Sequence, residues 1–224
     1  MASQVKRALI IGSNGSEEME LIITSDVLRR AGIEVIIAGL QDEPAIVCRS
    51  QALINVDKPF KEVLMETFDA VILPGGLQGS ECLQKDIRVG EVLRQHEAAG
   101  KIIAAICAGP LAIKAHNISS GAILTSYPAV KNQFDNSGYT YSEENVCIWK
   151  NIVTSRGPGT TFDFALQLAE LLGGYTYSEE NVCVWKNLVT SRGPGTTFDF
   201  ALKLAELLGG TEKAHEVRKA MLLT

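Results

Sequence analysis

Of the side chains that could form a covalent bond or move a proton, one sits in a setting built for it. Cys107 lies in Ala104-Ala105-Ile106-Cys107-Ala108-Gly109-Pro110, where an apolar strand-like run passes straight into a helix-like one. A sharp strand-to-helix turn holds a nucleophile above a sheet, and small neighbours permit so tight a turn. The N-terminus of the following helix favours a thiolate and lowers its pKa. These features favour a reactive thiol over the other reading, an inert core cysteine, which is the common fate of the residue type. Cys48, Cys82, Cys147 and Cys183 lack the setting and are read as structural.

Glu20 is the proton-handling candidate. It follows Glu17, Glu18 and Met19 at the start of a helix, where acidic residues ordinarily complement the helix dipole. Glu20 shares a clean helical face with neither Glu17 nor Glu18 and is flanked by Met19 and Leu21. Turned toward a cleft, burial would raise its pKa and let it exchange protons near neutrality. Pro74-Gly75-Gly76 follows an apolar run. It reads either as a strand-ending turn or as a nest of backbone N–H groups for an oxyanion. Ser155-Arg156-Gly157-Pro158-Gly159-Thr160 reads either as a turn or as a cleft wall with Arg156 as an anion contact. His96, His116 and His215 fall in helical stretches without HxH or HExxH spacing, so no catalytic metal is expected. Gly12-Ser13-Asn14-Gly15 is not the GxGxxG fingerprint.

These residues need elements to position them. Strand patterns occupy 6–12, 33–40, 52–56, 70–73, 101–106 and 123–126, and helical patterns 17–31, 86–99 and 110–116. Apolar strands alternating with helices predict a mostly parallel sheet covered on both faces, an α/β sandwich. Ligands of such sheets bind beyond the carboxyl ends of the strands. That places 12–20, 74–79, 107–110 and Tyr127-Pro128 around one cleft.

The chain has 224 residues, 46% hydrophobic and 21% charged, with net charge −5. This composition fills a core and excludes general disorder. No basic patch points to nucleic acid or membrane surfaces, and no apolar run reaches the roughly 18 residues of a spanning helix. With no secretory leader pattern and five scattered cysteines, the expected setting is reducing: cytoplasm, with nucleus or mitochondrion as further places.

The chain also repeats itself. Residues 139–174 and 175–210 differ only at Ile148/Val184, Ile152/Leu188 and Gln167/Lys203. Each copy reads strand, tight turn, strand, helix, a ββα piece that needs a sheet to dock on. Two adjacent copies do not make a solenoid. The expected organisation is one domain over 1–224, with one copy completing the sheet and the other peripheral; 139–174, synthesised first, is expected to dock.

The stretches 6–9, 15–20, 26–32, 73–76, 104–110, 139–142 and 154–160 together resemble the ThiJ/PfpI (DJ-one/PfpI) family. The resemblance implies a flavodoxin-like, class I glutamine amidotransferase-like sandwich that works as a homodimer without cofactor. It implies Cys107 as nucleophile and peroxide-sensitive thiol, and Glu20 as its protonated partner. Gly75, Gly76 and Ala108 would be backbone donors to a substrate oxygen, with Tyr127, Arg156 and Pro158 lining the cleft. The implied substrates are small reactive carbonyls or glycated side chains: glyoxalase chemistry without glutathione, and deglycation. Oxidative-stress sensing and chaperone activity are the alternative. Tyr127 stands where many members carry histidine, and a phenol is a poor base near neutrality. Ala108 stands where a peptidase branch has the histidine that activates its cysteine, which argues against proteolysis.

Overall fold

A computed structural model describes residues 5–173, 180–185, 188–192 and 196–220. The chain divides into two compact units, 1–176 and 177–224. The physical reason is the repeat: the sheet has one place for a ββα piece, and the first copy fills it.

The first unit runs β1 (Arg7–Gly12), α1 (Glu18–Arg30), β2 (Glu34–Gly39), β3 (Ala45–Val47), β4 (Leu53–Asn55), β5 (Lys58–Pro59), α2 (Phe60–Val63), β6 (Ala70–Leu73), α3 (Leu77–Lys85), α4 (Ile87–Ala98), β7 (Ile102–Ile106), α5 (Pro110–Ala115), β8 (Ile123–Leu124), β9 (Thr140–Tyr141), β10 (Val146–Trp149), β11 (Ile152–Ser155) and α6 (Thr161–Leu171). Seven strands form one sheet in the order β10-β11-β7-β6-β1-β2-β5. Its pairs are parallel except the edge hairpin β10–β11.

Strand alternation divides the core between the two faces. Ala8 and Ile10 of β1 pack with Leu28 of α1 and with Phe164 and Leu168 of α6. Leu9 and Ile11 pack with Leu93 of α4 and Ile113 of α5 on the other face. The result is the three-layer, flavodoxin-like sandwich expected. Helix ends follow local chemistry: Asp86 caps α4 through its side chain, accepting from the Arg88 N–H, and Gly32 closes α1 at φ +79°.

Two predicted strands lie elsewhere. The 52–56 pattern yields β4, which pairs with β3 in a separate hairpin. The 123–126 pattern shortens to β8, which pairs with β9 off the main sheet. Helix α3, following directly on Pro74-Gly75-Gly76, has no expected counterpart, because its few apolar residues give no helical stripe.

The second unit holds the hairpin β12 (Val182–Trp185) and β13 (Leu188–Ser191), then α7 (Thr197–Gly209) and α8 (Thr211–Ala220). Among the described residues no helix is long and apolar enough to cross a membrane.

Candidate active site

Cys107 is the first residue after β7 and carries φ +60°. A non-glycine residue there is strained and persists only when its surroundings over-determine it. Three elements do so. The Cys107 N–H donates to the Ser155 carbonyl at the end of β11 at 2.9 Å, and the Tyr127 N–H donates to the Cys107 carbonyl at 2.7 Å. The Ser80 hydroxyl of α3 holds the Ala108 carbonyl at 2.6 Å. Gly109 lets the chain turn there, since a Cβ would lie 2.4 Å from the Leu73 carbonyl oxygen.

Glu20, on the first turn of α1, is 1% exposed. Its Oε2 accepts the Gly75 N–H at 2.6 Å, while Oε1 is buried without a hydrogen-bond partner. Burial holds this carboxyl up to about 7, against the pull of the Gly75 N–H and the neighbouring Cys107 thiol. Burial also pushes the Cys107 thiol up to about 12, helped by the Glu20 charge and opposed by the N–H groups of Gly76 and Ala108. The lowering expected from the helix N-terminus does not dominate: α5 is six residues long, and desolvation outweighs it. Thiol and carboxyl form one couple in which each charge disfavours the other. A thiolate at Cys107 is therefore favoured only while Glu20 holds a proton.

The glycine pair divides its work. The Gly75 N–H is already taken by Glu20, so this residue positions the carboxyl and is not the free oxyanion donor expected. Gly76 has φ +80°, and a Cβ there would come within 2.1 Å of the Gly15 carbonyl oxygen. That close approach is what lets its N–H, with that of Ala108, reach the sulfur.

A cleft of about 480 Å³ opens above the thiol, lined by Gly15, Glu17, Arg49, Gly76, Leu77, Gln78, Cys107, Tyr127 and Pro158. Tyr127 and Pro158 are thus among the lining residues. Arg156 does not line it. Its Nη1 donates to the Glu143 carbonyl at 2.8 Å, and its Nη2 pairs with the Glu143 carboxylate at 3.6 Å. The cation in the cleft is Arg49, whose Nη1 lies 3.1 Å from Glu17 Oε2. Sequence reasoning missed it. Arg49 follows β3, and its N–H bonds to the Ser16 carbonyl at 2.9 Å, a long-range fold-back with no local pattern. Among the described residues no cluster of three or more His, Cys, Asp or Glu could hold a metal ion.

The DJ-1/PfpI family model matches residues 6–171 and, a second time, residues 169–207. The chain belongs to the DJ-1/PfpI family. Protein dj-1beta of Drosophila melanogaster is 46% identical over 168 residues, covering 75% of this chain and 89% of that protein. The glutathione-independent glyoxalase DJR-1.2 of Caenorhabditis elegans is 39% identical over 172 residues, covering 77% of this chain and 91% of its own length. The crystal structure of Drosophila melanogaster DJ-1beta superposes with a TM-score of 0.73 at 39% identity, covering 99% of this chain and 100% of that one. Of the DJ-1/PfpI resemblance read from sequence, the elbow around Cys107 and the Glu20 helix are the parts the geometry brings into contact.

Proposed function

We propose that this protein is a cofactor-independent glyoxalase that converts methylglyoxal to lactate at Cys107, and that acts by the same first step on early glycation adducts. One observation carries the reading: a buried carboxyl is coupled to a thiol that lies on the floor of a cleft large enough for a small carbonyl. The glyoxalase name of the Caenorhabditis elegans relative supports it.

The chemistry balances without an external oxidant. Cys107 Sγ adds to the aldehyde carbon, and its proton passes by way of the Glu20 carboxylate to the carbonyl oxygen, which becomes the hydroxyl of a hemithioacetal and leaves Glu20 unprotonated again. The N–H groups of Gly76 and Ala108 steady the oxygen while it is negative. Glu20 then relays a proton from the former aldehyde carbon to the adjacent carbon, and the new hydroxyl gives up its proton as the ketone oxygen gains one, with an enediol between the two states. The first carbon is oxidised, the second is reduced, and the product is a lactoyl thioester. Water cleaves it to lactate and frees the thiol. A carboxyl poised near 7 suits both directions of this transfer. Tyr127 is not needed as a base in this scheme.

Lactate formation from methylglyoxal, measured for the intact chain and for Cys107→Ala, tests the proposal. Turnover that disappears in the variant supports it. A folded protein with no turnover, whose Cys107 still oxidises rapidly with peroxide, points instead to the redox-sensor role. The same geometry favours that second reading, because Gly76, Ala108 and a protonated Glu20 would all donate to a sulfinate.

The working form is proposed to be a homodimer. Met19 and Ile22 of α1 are exposed, as are Val47 and Leu53 of the adjoining β3–β4 hairpin. The Ser50 N–H ties that hairpin to Glu18 at 2.9 Å. Sedimentation of the wild type and of Ile22→Glu checks this: the variant is expected to be monomeric.

A further inference from the structure

We infer that the second copy of the repeat, 175–210, can replace the first in the seven-stranded sheet, so that one place in the fold has two occupants within the same chain. The place lies at the sheet edge, where β11 pairs with β7 from Ile152↔Ile103 to Ser155↔Ile106. Only the hairpin strand β10 lies beyond it, so exchange disrupts one margin of the sheet and nothing within it.

Every apolar side chain that α6 buries there recurs in α7. Phe164, Ala165 and Leu168 are fully buried, and Leu172 is 4% exposed. Their counterparts are Phe200, Ala201, Leu204 and Leu208. In the second copy Leu208 is 87% exposed, Ala201 is exposed and Phe200 is half-buried. The residue that α7 buries instead is Leu202, the counterpart of half-buried Leu166. The face that fits the sheet edge is therefore less covered in the second copy, with Leu208 and Ala201 exposed and Phe200 and Leu204 half-buried.

The described part of the second copy already carries the hairpin an occupant needs. Its hairpin register, Val182↔Ser191 to Trp185↔Leu188, repeats Val146↔Ser155 to Trp149↔Ile152. Ser191 bonds the Asn181 carbonyl as Ser155 bonds that of Asn145. The second match of the family model falls on this same segment.

None of the three differences blocks exchange. Position 148 is exposed and 167 half-buried. Leu188 replaces Ile152 at equal volume. The displaced first copy leaves and re-enters the fold at neighbouring points, and closing such a loop costs only logarithmically more with its length.

Cys147 and Cys183 are built-in reporters of the occupant. Cys147 is 8% exposed in the docked copy, Cys183 is half-buried, and Ile148 against Val184 distinguishes their peptides by mass. The test is thiol alkylation with peptide mass spectrometry on the full chain, together with thermal melts, for Phe164→Asp, Phe200→Asp and the double variant. Phe164→Asp is expected to keep a cooperative melt, with Cys147 labelled about ten-fold faster or more and Cys183 newly protected. Phe200→Asp is expected to behave as wild type, and the double variant to lose the melt. Phe164→Asp melting as the double variant does, or folding with Cys147 still protected, overturns the inference. So does protection of Cys183 confined to a dimer on size exclusion, since that exchange would lie between chains.

Discussion

The two copies of the ββα piece are almost the same sequence in two environments, and the difference between them separates what a segment encodes from what its surroundings supply. Both form the same hairpin, and in both the serine that ends its second strand bonds the carbonyl of the asparagine before its first. Local structure is therefore written in the segment. Burial is not. Ser155 is fully buried and Ser191 is exposed; Leu172 is covered and Leu208 bare. The first copy delivers a carbonyl to the Cys107 N–H and so takes part in the site.

The largest expected effect sharpens this contrast directly. In a chain lacking residues 175–210, Phe164→Ala is expected to cost about 3–5 kcal/mol, as for other fully buried aromatics. Phe200→Ala in the full chain should leave the first unit's stability within about 0.5 kcal/mol. Denaturant titration measures both. The deletion alone should leave the melting temperature unchanged or raise it; a large fall would mean that the second copy supports the first unit.

Acidity should divide the units next. A carboxyl held up to about 7 keeps its proton in the folded state where the unfolded chain, near 4.5, has lost it. Its contribution is thus fully present below about pH 4.5 and is lost as pH rises to about 7, by about 3 kcal/mol. His96 works in the opposite sense, because burial lowers its pKa and its contribution grows as pH rises. Glu20→Gln should remove only the first effect and flatten the wild-type loss of stability between those pH values. The second unit holds no buried carboxyl among its described residues, and its unfolding should not show this dependence. Identical pH profiles for Glu20→Gln and wild type would sink the assignment.

The smallest effect compares the paired serines. Ser155 Oγ bonds the Asn145 carbonyl and Thr160 Oγ1 at 2.7 and 2.6 Å in a buried setting. Ser155→Ala in the shortened chain should cost about 1–3 kcal/mol. Ser191→Ala, with the same local bonds in water, should cost about 0.5 kcal/mol or less. Equal costs in chemical denaturation would show that the local bond, and not its burial, sets the energy.

The same division explains what could be read before the fold was known. Strands β1, β2 and β6 are apolar runs ended by glycine or proline, β7 is an apolar run that passes into Cys107, and all four lie where their pattern places them. The elbow at Cys107 was legible from small neighbours at a strand–helix join, and Glu20 from its apolar flanks. Arg49 was not legible, because it reaches the cleft only when the β3–β4 hairpin folds onto the start of α1. Arg156 looked suitable from its strand-end position, but Glu143, distant from the turn motif, captures it. The thiol was expected to be acidic from one local feature, the helix N-terminus. Its desolvation depends on the whole core and appears in no short window of residues.

The bond from the Gly75 N–H to Glu20 has a spectroscopic meaning. An amide proton held at 2.6 Å by a carboxylate is deshielded when that carboxylate is charged, and less so when it is neutral. The Gly75 resonance in a two-dimensional amide spectrum should therefore move downfield as pH rises through about 7. It would report the protonation state of the couple in the resting protein, with no substrate added and no label near the sulfur.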